Sequence, residues 1–198
     1  MKKADIEAFV ARHAGWVAKK LDANEARLAA CAPKQFADGE EFFCLGETFR
    51  LRIEAAKKGG VVREEGSLRV FVPARLDAEG QTQRVRKELE GWYRVAAAQC
   101  LADRIRARCA QVGAQPAQVK GRAFKSRWGS CTASGAVAFN WRLVMAPPQI
   151  ADYVVVHELC HLLHQDHSPR FWREVERVLP DFGQSRRWLR ANGHRLSW

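Results

Sequence analysis

The chain has 198 residues, 47% of them hydrophobic, which suits one globular domain of ordinary size and excludes disordered or collagen-like protein. No apolar run approaches the roughly 20 residues that cross a bilayer, and no secretory hydrophobic segment follows the N-terminus, so a cytoplasmic protein without a membrane partner is expected. A net charge of +11 favours a nucleotide, nucleic acid or acidic protein as partner, unless the arginines are only the solvated faces of helices.

The cysteines are spread along the chain without a Cys-x-x-Cys pair. In a protein without a signal peptide they are expected to be reduced thiols, several of them buried. A zinc site made only of cysteine is therefore not predicted. The six positions are Cys31, Cys44, Cys100, Cys109, Cys131 and Cys160.

The first predicted element is an amphipathic helix at the N-terminus. Apolar side chains recur at helical spacing between Ile6 and Leu21, so we expect a helix over about residues 4–29. Pro33 and Gly39 interrupt this pattern before the next element begins.

Alternating apolar and polar residues then indicate a small sheet over about residues 40–75. The runs at 49–53 and 68–72 each place every second side chain on one face, which is the period of a half-buried strand. Gly59 and Gly60 mark a turn between them. We predict that these strands pair in an antiparallel sheet.

Helical spacing returns over about residues 80–112, and Gly113 stands where a glycine commonly ends a helix. An extended segment at about 119–131 leads through a turn to a strand predicted at Val137–Leu143. Pro148 then opens another helix, since proline is tolerated in a first helical turn.

That helix contains the motif His-Glu-x-x-His. Residues i and i+4 share one face of a helix, so His157 and His161 can reach a single ion, with Glu158 beside them as a base for metal-bound water. The surrounding residues 153–163 are apolar on nearly all sides, which predicts a buried helix. Buried histidine and glutamate need partners, and a metal ion supplies them.

A catalytic zinc ion usually takes three protein ligands and leaves one position for water. His164 is on the same helical stripe, but at a rise of about 1.5 Å per residue it lies about 10 Å along the axis from His157. His167 is followed by Ser168 and Pro169, which can start a new helix, so the chain is expected to turn there and bring this imidazole back. We favour His167 as the third ligand. A more distant acid is the remaining alternative: Glu174, Glu176 or Asp181.

Several segments together resemble the YgjP-like metallopeptidase family. They are KSRWGSC at 125–131, FNWRLVMAPP at 139–148, DYVVVHELCHLLHQDHSPRFW at 152–172 and the LPDF that follows. The likeness extends upstream to AFVARHAGWVAKKL and FCLGETFRLRI, and so covers nearly the whole chain.

The resemblance implies a zincin-like core with one zinc ion, held by His157, His161 and His167, with Glu158 as the catalytic base. The expected fold is α+β, with the active-site helix packed on a small, mainly antiparallel sheet and preceded by the N-terminal helix. We expect a single domain over residues 1–198, with the catalytic core at about 80–198. The resemblance also assigns three residues to the surroundings of the active site: Arg127, Trp128 and Ser130.

Two residues are candidates for binding substrate. Arg127 lies in a basic segment that is either a solvated loop or a contact for a carboxylate or phosphate, which a guanidinium can bind through two hydrogen bonds. Asn140 faces away from its apolar neighbours in the strand Val137–Leu143, and an exposed strand beside the metal could pair with an extended peptide.

Three functions fit these patterns. The first is a metallopeptidase, in which zinc-bound water activated by Glu158 attacks a peptide carbonyl. The second is a zinc-dependent nucleotide phosphohydrolase that cleaves a phosphoanhydride; the chain has no GxxxxGK[ST] phosphate loop. The third is a basic, nucleic-acid-associated binding protein with a structural zinc, for which Cys160 is a candidate fourth ligand.

Overall fold

The N-terminal helix forms where its apolar spacing predicts it. The computed structural model describes residues 3–29, 33–196 and 198. Helix α1 spans Lys3–Ala29, which confirms the predicted bounds. It belongs to a unit of its own, separate from the unit that holds residues 35–197. Its large apolar side chains Phe9, Trp16 and Leu21 are exposed.

The predicted sheet at 40–75 is present and has four strands. They are β1 (Glu41–Cys44), β2 (Glu47–Ala55), β3 (Gly60–Glu64) and β4 (Ser67–Val72). Their order is β1-β2-β4-β3, and β2 runs parallel to β4 while the other two pairs are antiparallel. The prediction of a purely antiparallel sheet is therefore wrong for the central pair.

The long helix α2, Ala78–Val112, follows directly from its end signals. The side chain of Asp77 accepts a hydrogen bond of 2.9 Å from the amide of Gly80 at the N-terminus. At the other end Gly113 takes the left-handed conformation, with φ of 77°, which a glycine adopts without strain. The predicted helix and its stop are confirmed.

A second sheet holds the strands nearest the predicted active site. It contains β5 (Gln118–Arg122), β6 (Gly129–Cys131) and β7 (Ala136–Asn140) in the order β5-β7-β6. The predicted strand is present as β7, but the predictions that it is exposed and that it extends to Leu143 are wrong. β7 is the central strand, parallel to β5 and antiparallel to β6, and the chain leaves it for a short 3-10 helix at Trp141–Met145.

Three helices and a final 3-10 turn complete the chain: α3 (Pro148–Cys160), α4 (Pro169–Val178), α5 (Phe182–Asn192) and Gly193–Leu196. Proline occupies the first turn of both α3 and α4, as predicted. α3 is buried, with no exposed surface at Val155, Val156 or Leu159. Together with the two small sheets, these helices confirm an α+β fold; the single domain over 1–198 stays a prediction.

Most arginines described in α2 are paired within the protein. Arg84 pairs with Glu88 and Arg94 with Glu90 on the same helix. Two others reach across to α3, where Asp152 forms an ion pair with Arg104 at 3.2 Å and accepts a hydrogen bond from Arg108 at 2.8 Å. These arginines are therefore partly neutralised by neighbouring carboxylates, whereas the net charge of +11 already counts those acids and remains.

Two sequence expectations concern the whole chain. Within residues 3–29 and 33–196, no helix is both long and apolar enough to cross a bilayer. Five of the six cysteines are free thiols, four of them buried, as expected, whereas Cys31 lies outside the described residues.

Candidate metal centre

Three imidazoles meet at the C-terminal end of α3. His157 and His161 share one face of the helix, with ring centroids 4.9 Å apart. The chain turns after Cys160, and His167 returns to within 5.1 Å of the His157 ring and 4.7 Å of the His161 ring. One ligand atom from each residue lies within 4.8 Å of the other two.

The spacing and protonation of these nitrogens suit a zinc ion. Nε2 of His157 lies 3.2 Å from Nε2 of His167. Two nitrogens on one tetrahedral zinc, each at about 2.0–2.1 Å, would be about 3.3–3.4 Å apart. Burial, with the charges of His161 and His167, lowers the pKa of His157 to about 3. The ring is therefore neutral at physiological pH, as a metal ligand must be.

His164 contributes a main-chain atom to this group. Its carbonyl oxygen lies 3.0 Å from Nδ1 of His161, so that nitrogen donates its proton there and Nε2 keeps its lone pair. A bond of this kind fixes both the tautomer and the orientation of a ligand ring. The prediction that His164 is no ligand is consistent with this contact.

Two aromatic residues of α4 support the histidines, and the sequence patterns did not identify them. Phe171 is fully buried and lies within 4.9 Å of all three imidazole rings, stacked on His161 at 4.5 Å. Trp172 lies 5.7 Å from both His157 and His167. The only available signal was their position just after the predicted third ligand, because contact with α3 depends on how α4 packs.

Glu158 lies beside the histidines and is buried, with 6% of its surface exposed. Burial raises the pKa of this carboxyl to about 7, although the positive charge of Arg127 lowers it in part. A Cβ atom added at Gly129 of β6 would lie 2.5 Å from Cγ and Oε1 of Glu158. The absence of a side chain at Gly129 therefore leaves the space that this carboxyl occupies.

The two predicted substrate residues have different environments. Arg127 is exposed, and its guanidinium lies 5.5 Å from the Phe124 ring. Asn140 is 3% exposed, and its side-chain amide donates to the carbonyl oxygens of Phe124 at 3.0 Å and Arg127 at 3.3 Å. These hydrogen bonds hold the loop that contains Arg127 in place. Asn140 was expected to be exposed, and it is buried.

The neighbours of Arg127 form one wall of this region. The indole of Trp128 would lie 3.0 Å from a Cβ atom added at Gly193, so the final 3-10 turn packs closely against it. Ser130 is half-buried in β6 and pairs with Ala138 of β7. Both residues belong to the sheet and loop beside Glu158.

Cys160 is separate from the ligand group. The three histidines form this group by themselves among the residues that the structure describes. Burial raises the pKa of Cys160 to about 12, and Glu174 of α4 raises it further while Arg177 lowers it. A thiol that remains protonated is a poor metal ligand.

The chain matches a known protein family over most of its length. The sequence profile of the YgjP-like metallopeptidase domain matches residues 1–192. The chain belongs to this family. The predicted resemblance is thereby confirmed, and the His157, His161 and His167 group lies within a metallopeptidase domain.

No curated protein gives a significant match to the chain. Among solved structures, the crystal structure of the metallopeptidase zymogen abylysin from Pyrococcus abyssi is 24% identical. The match covers 46% of this chain and 93% of that one, with a TM-score of 0.42.

The raised pKa of Glu158 predicts how the metal-free YgjP-like protein responds to pH. Its folded-state pKa, about 7, lies above its ordinary value of 4.5. The protonated carboxyl thus stabilises the fold fully below pH 4.5, and this contribution is lost as the pH rises through 7. The free energy of unfolding of wild type should therefore fall by about 3 kcal/mol between pH 4.5 and pH 8 because of this carboxyl, and Glu158→Gln should not show this fall. The difference in stability between the variant and wild type should increase by the same amount. Urea unfolding in a metal chelator measures this difference.

An exposed acid on α4 supplies the control for that measurement. Glu176→Gln should change stability by less than about 0.5 kcal/mol at either pH. A Glu158→Gln curve parallel to that of wild type would show that burial does not hold this carboxyl protonated.

A second prediction concerns the space at Gly129. Gly129→Ala should displace the Glu158 side chain and lower kcat for hydrolysis by the metallopeptidase domain by about 100-fold. This is the typical cost of misplacing a reacting group by about 1 Å. Zinc content should remain that of wild type. Gly121→Ala in β5 is the matched control, since a Cβ atom there meets nothing within 4 Å and activity should be unchanged. Equal activity in both variants would contradict the role of this space.

Proposed function

We propose that this YgjP-like protein is a zinc-dependent metallopeptidase, with one zinc ion held by His157, His161 and His167 and with Glu158 as the catalytic base. The observation that supports this most is that three imidazole nitrogens within 4.8 Å of one another lie beside a buried carboxyl. Zinc in such a site supplies Lewis acidity, which polarises a carbonyl and lowers the pKa of water to about 7.

Glu158 performs the proton transfers in this proposal. With a pKa of about 7 in the metal-free protein, the carboxyl is poised near the working pH. It accepts a proton from the attacking water and donates it to the leaving amine nitrogen. Its position against Gly129 restricts its movement between these two steps.

In this proposal the strand of the protein that pairs with an extended substrate is β6, and not the predicted strand Val137–Leu143. Among the described strands, β6 has a partner on one side only, since β7 pairs with it and no strand follows. Gly129 of β6 also lies against Glu158. An extended peptide hydrogen-bonded to the open edge of β6 would therefore place its carbonyls next to the base.

Arg127 and Asn140 act together in this arrangement. Arg127 is exposed beside Glu158, where a guanidinium can bind a substrate oxygen. Asn140 is buried and acts through its hydrogen bonds to the main chain of the same loop. We therefore propose contact with the substrate for Arg127 and a positioning role for Asn140.

The open ligand group argues for a catalytic site over a structural one. Structural zinc is usually closed by four protein ligands, whereas a catalytic site has three. The group has three histidines among the described residues, and its third member, His167, is exposed to solvent. This arrangement leaves room for a substrate and weighs against the binding protein with structural zinc.

A substrate panel tests the proposed function. Zinc-loaded and chelator-treated protein would each be incubated with unfolded protein, short peptides and nucleoside triphosphates. Zinc-dependent cleavage of peptide bonds is the expected result. Cleavage of the triphosphates alone would favour the nucleotide phosphohydrolase, which the exposed Arg127 beside the site also suits. Salt-sensitive nucleic-acid binding without any cleavage would favour the third function.

A further inference from the structure

Arg186, an arginine on α5, lies close to the metal centre and has no role in the proposed mechanism. The guanidinium carbon of Arg186 lies 4.7 Å from the centre of the Trp172 ring. That ring in turn lies 5.7 Å from the rings of His157 and His167. Arg186 is thus separated from the ligands by a single aromatic side chain.

The charge of Arg186 is available to a ligand. Its side chain is exposed, and no carboxylate of the described residues forms an ion pair with it, in contrast to Arg104 and Arg108.

The Trp172 indole that Arg186 covers is held in an aromatic stack. Phe182 lies 5.4 Å from Trp172 and 6.4 Å from Tyr153, with interplanar angles of 16° and 17°. Tyr153 is itself buried in α3. A guanidinium stacked on a fixed indole loses little further freedom on binding, and its N–H edge matches the two oxygens of a carboxylate.

We propose that Arg186 and Trp172 form a subsite that selects peptides with a carboxylate close to the scissile bond. The carboxylate comes from an Asp or Glu side chain or from the C-terminus of a short substrate. Arg186 binds its oxygens while the indole of Trp172 holds the guanidinium beside the metal centre. This proposal rests on the proposed peptidase function and adds the substrate class.

Matched peptides test the subsite. The bond that wild type cleaves is first located, and Glu is then compared with Gln at each of the three positions on either side. A parallel pair compares a free C-terminus with an amidated one, which distinguishes the two sources of the carboxylate. For wild type we expect kcat/KM to be about ten-fold higher for the best acidic peptide than for its amide counterpart.

Substitutions then assign this preference to the side chain. In Arg186→Gln the ratio should fall to about one, and in Arg186→Lys, which keeps the charge but loses the planar fork, to about three. Arg187→Gln removes the same charge from the adjacent residue of α5 and should keep the wild-type ratio. If wild type cleaved the acidic and amide peptides with equal kcat/KM, or if Arg186→Gln kept the wild-type preference, the subsite would be overturned. The peptidase function would remain intact in both cases.

A binding measurement separates the two proposals further. Fluorescence polarisation of a labelled acidic peptide is measured with Glu158→Gln alone and with Glu158→Gln/Arg186→Gln. Binding about ten-fold weaker in the double variant supports the subsite even if no peptide is cleaved, an outcome that would reject the peptidase function alone. Equal binding of both proteins would reject the subsite.

Discussion

Replacing Glu158 with Gln should lower kcat for peptide hydrolysis by about 10²- to 10⁴-fold, the usual contribution of a general base. Gln has nearly the same shape, so it fits the space beside Gly129, but it cannot accept a proton. The three histidines are unchanged, so zinc content should remain that of wild type. Steady-state kinetics and metal analysis on the same preparations measure both quantities.

The matched control for this change is Glu176→Gln. Glu176 is exposed on α4, outside the ligand group, and its replacement removes the same charge. Its activity should equal that of wild type. Turnover retained by Glu158→Gln would show that another group moves the proton and would remove Glu158 from the mechanism.

Replacing His161 or His167 with Ala should abolish stable zinc binding and turnover together. Loss of an outer-shell partner alone weakens metal affinity by about 10- to 100-fold, so loss of a direct ligand should cost more than about 100-fold. Equilibrium dialysis against a competing chelator, followed by metal analysis, measures this change. Circular dichroism of the metal-free proteins establishes that the variants still fold.

His164→Ala is the control that distinguishes the competing third ligands. Only the main-chain oxygen of His164 contacts His161, and alanine retains that atom. Zinc affinity should therefore stay within about three-fold of wild type, because the substitution removes no ligand atom. Loss of zinc in His164→Ala with retention in His167→Ala would reverse the assignment.

The grouping of the three histidines could be predicted because most of its parts are local in sequence. The spacing of His157 and His161 places them on one helical face, and Glu158 follows from the same motif. His167 was predicted from the turn signal at Ser168 and Pro169, and the structure brings its imidazole to the other two. The turn is closed by a hydrogen bond of 3.3 Å from the amide of Ser168 to the side chain of Asp166.

The sheet predictions were correct for burial and wrong for pairing. Alternation identified Leu51, Leu68 and Val70 as inward-facing, and all three are fully buried. It did not predict that β4 would lie between β2 and β3, because a period of two determines which face a side chain takes and not which strand is adjacent. Alternation also did not predict the burial of Asn140, because the loop of Phe124 and Arg127, whose carbonyl oxygens accept from its amide, covers that face.

The sequence by itself therefore determined the helices α1, α2 and α3, the placement of His157, Glu158 and His161 together on α3, and the family, since each depends on residues within one or two helical turns or on continuous segments. Only the tertiary structure decided that Phe171 supports all three imidazoles, that Gly129 leaves space for Glu158, and that Arg186 stacks on Trp172. These contacts join elements far apart in the chain. Their geometry is set by the packing of α4, α5 and β6 around α3, which no local pattern of residues encodes.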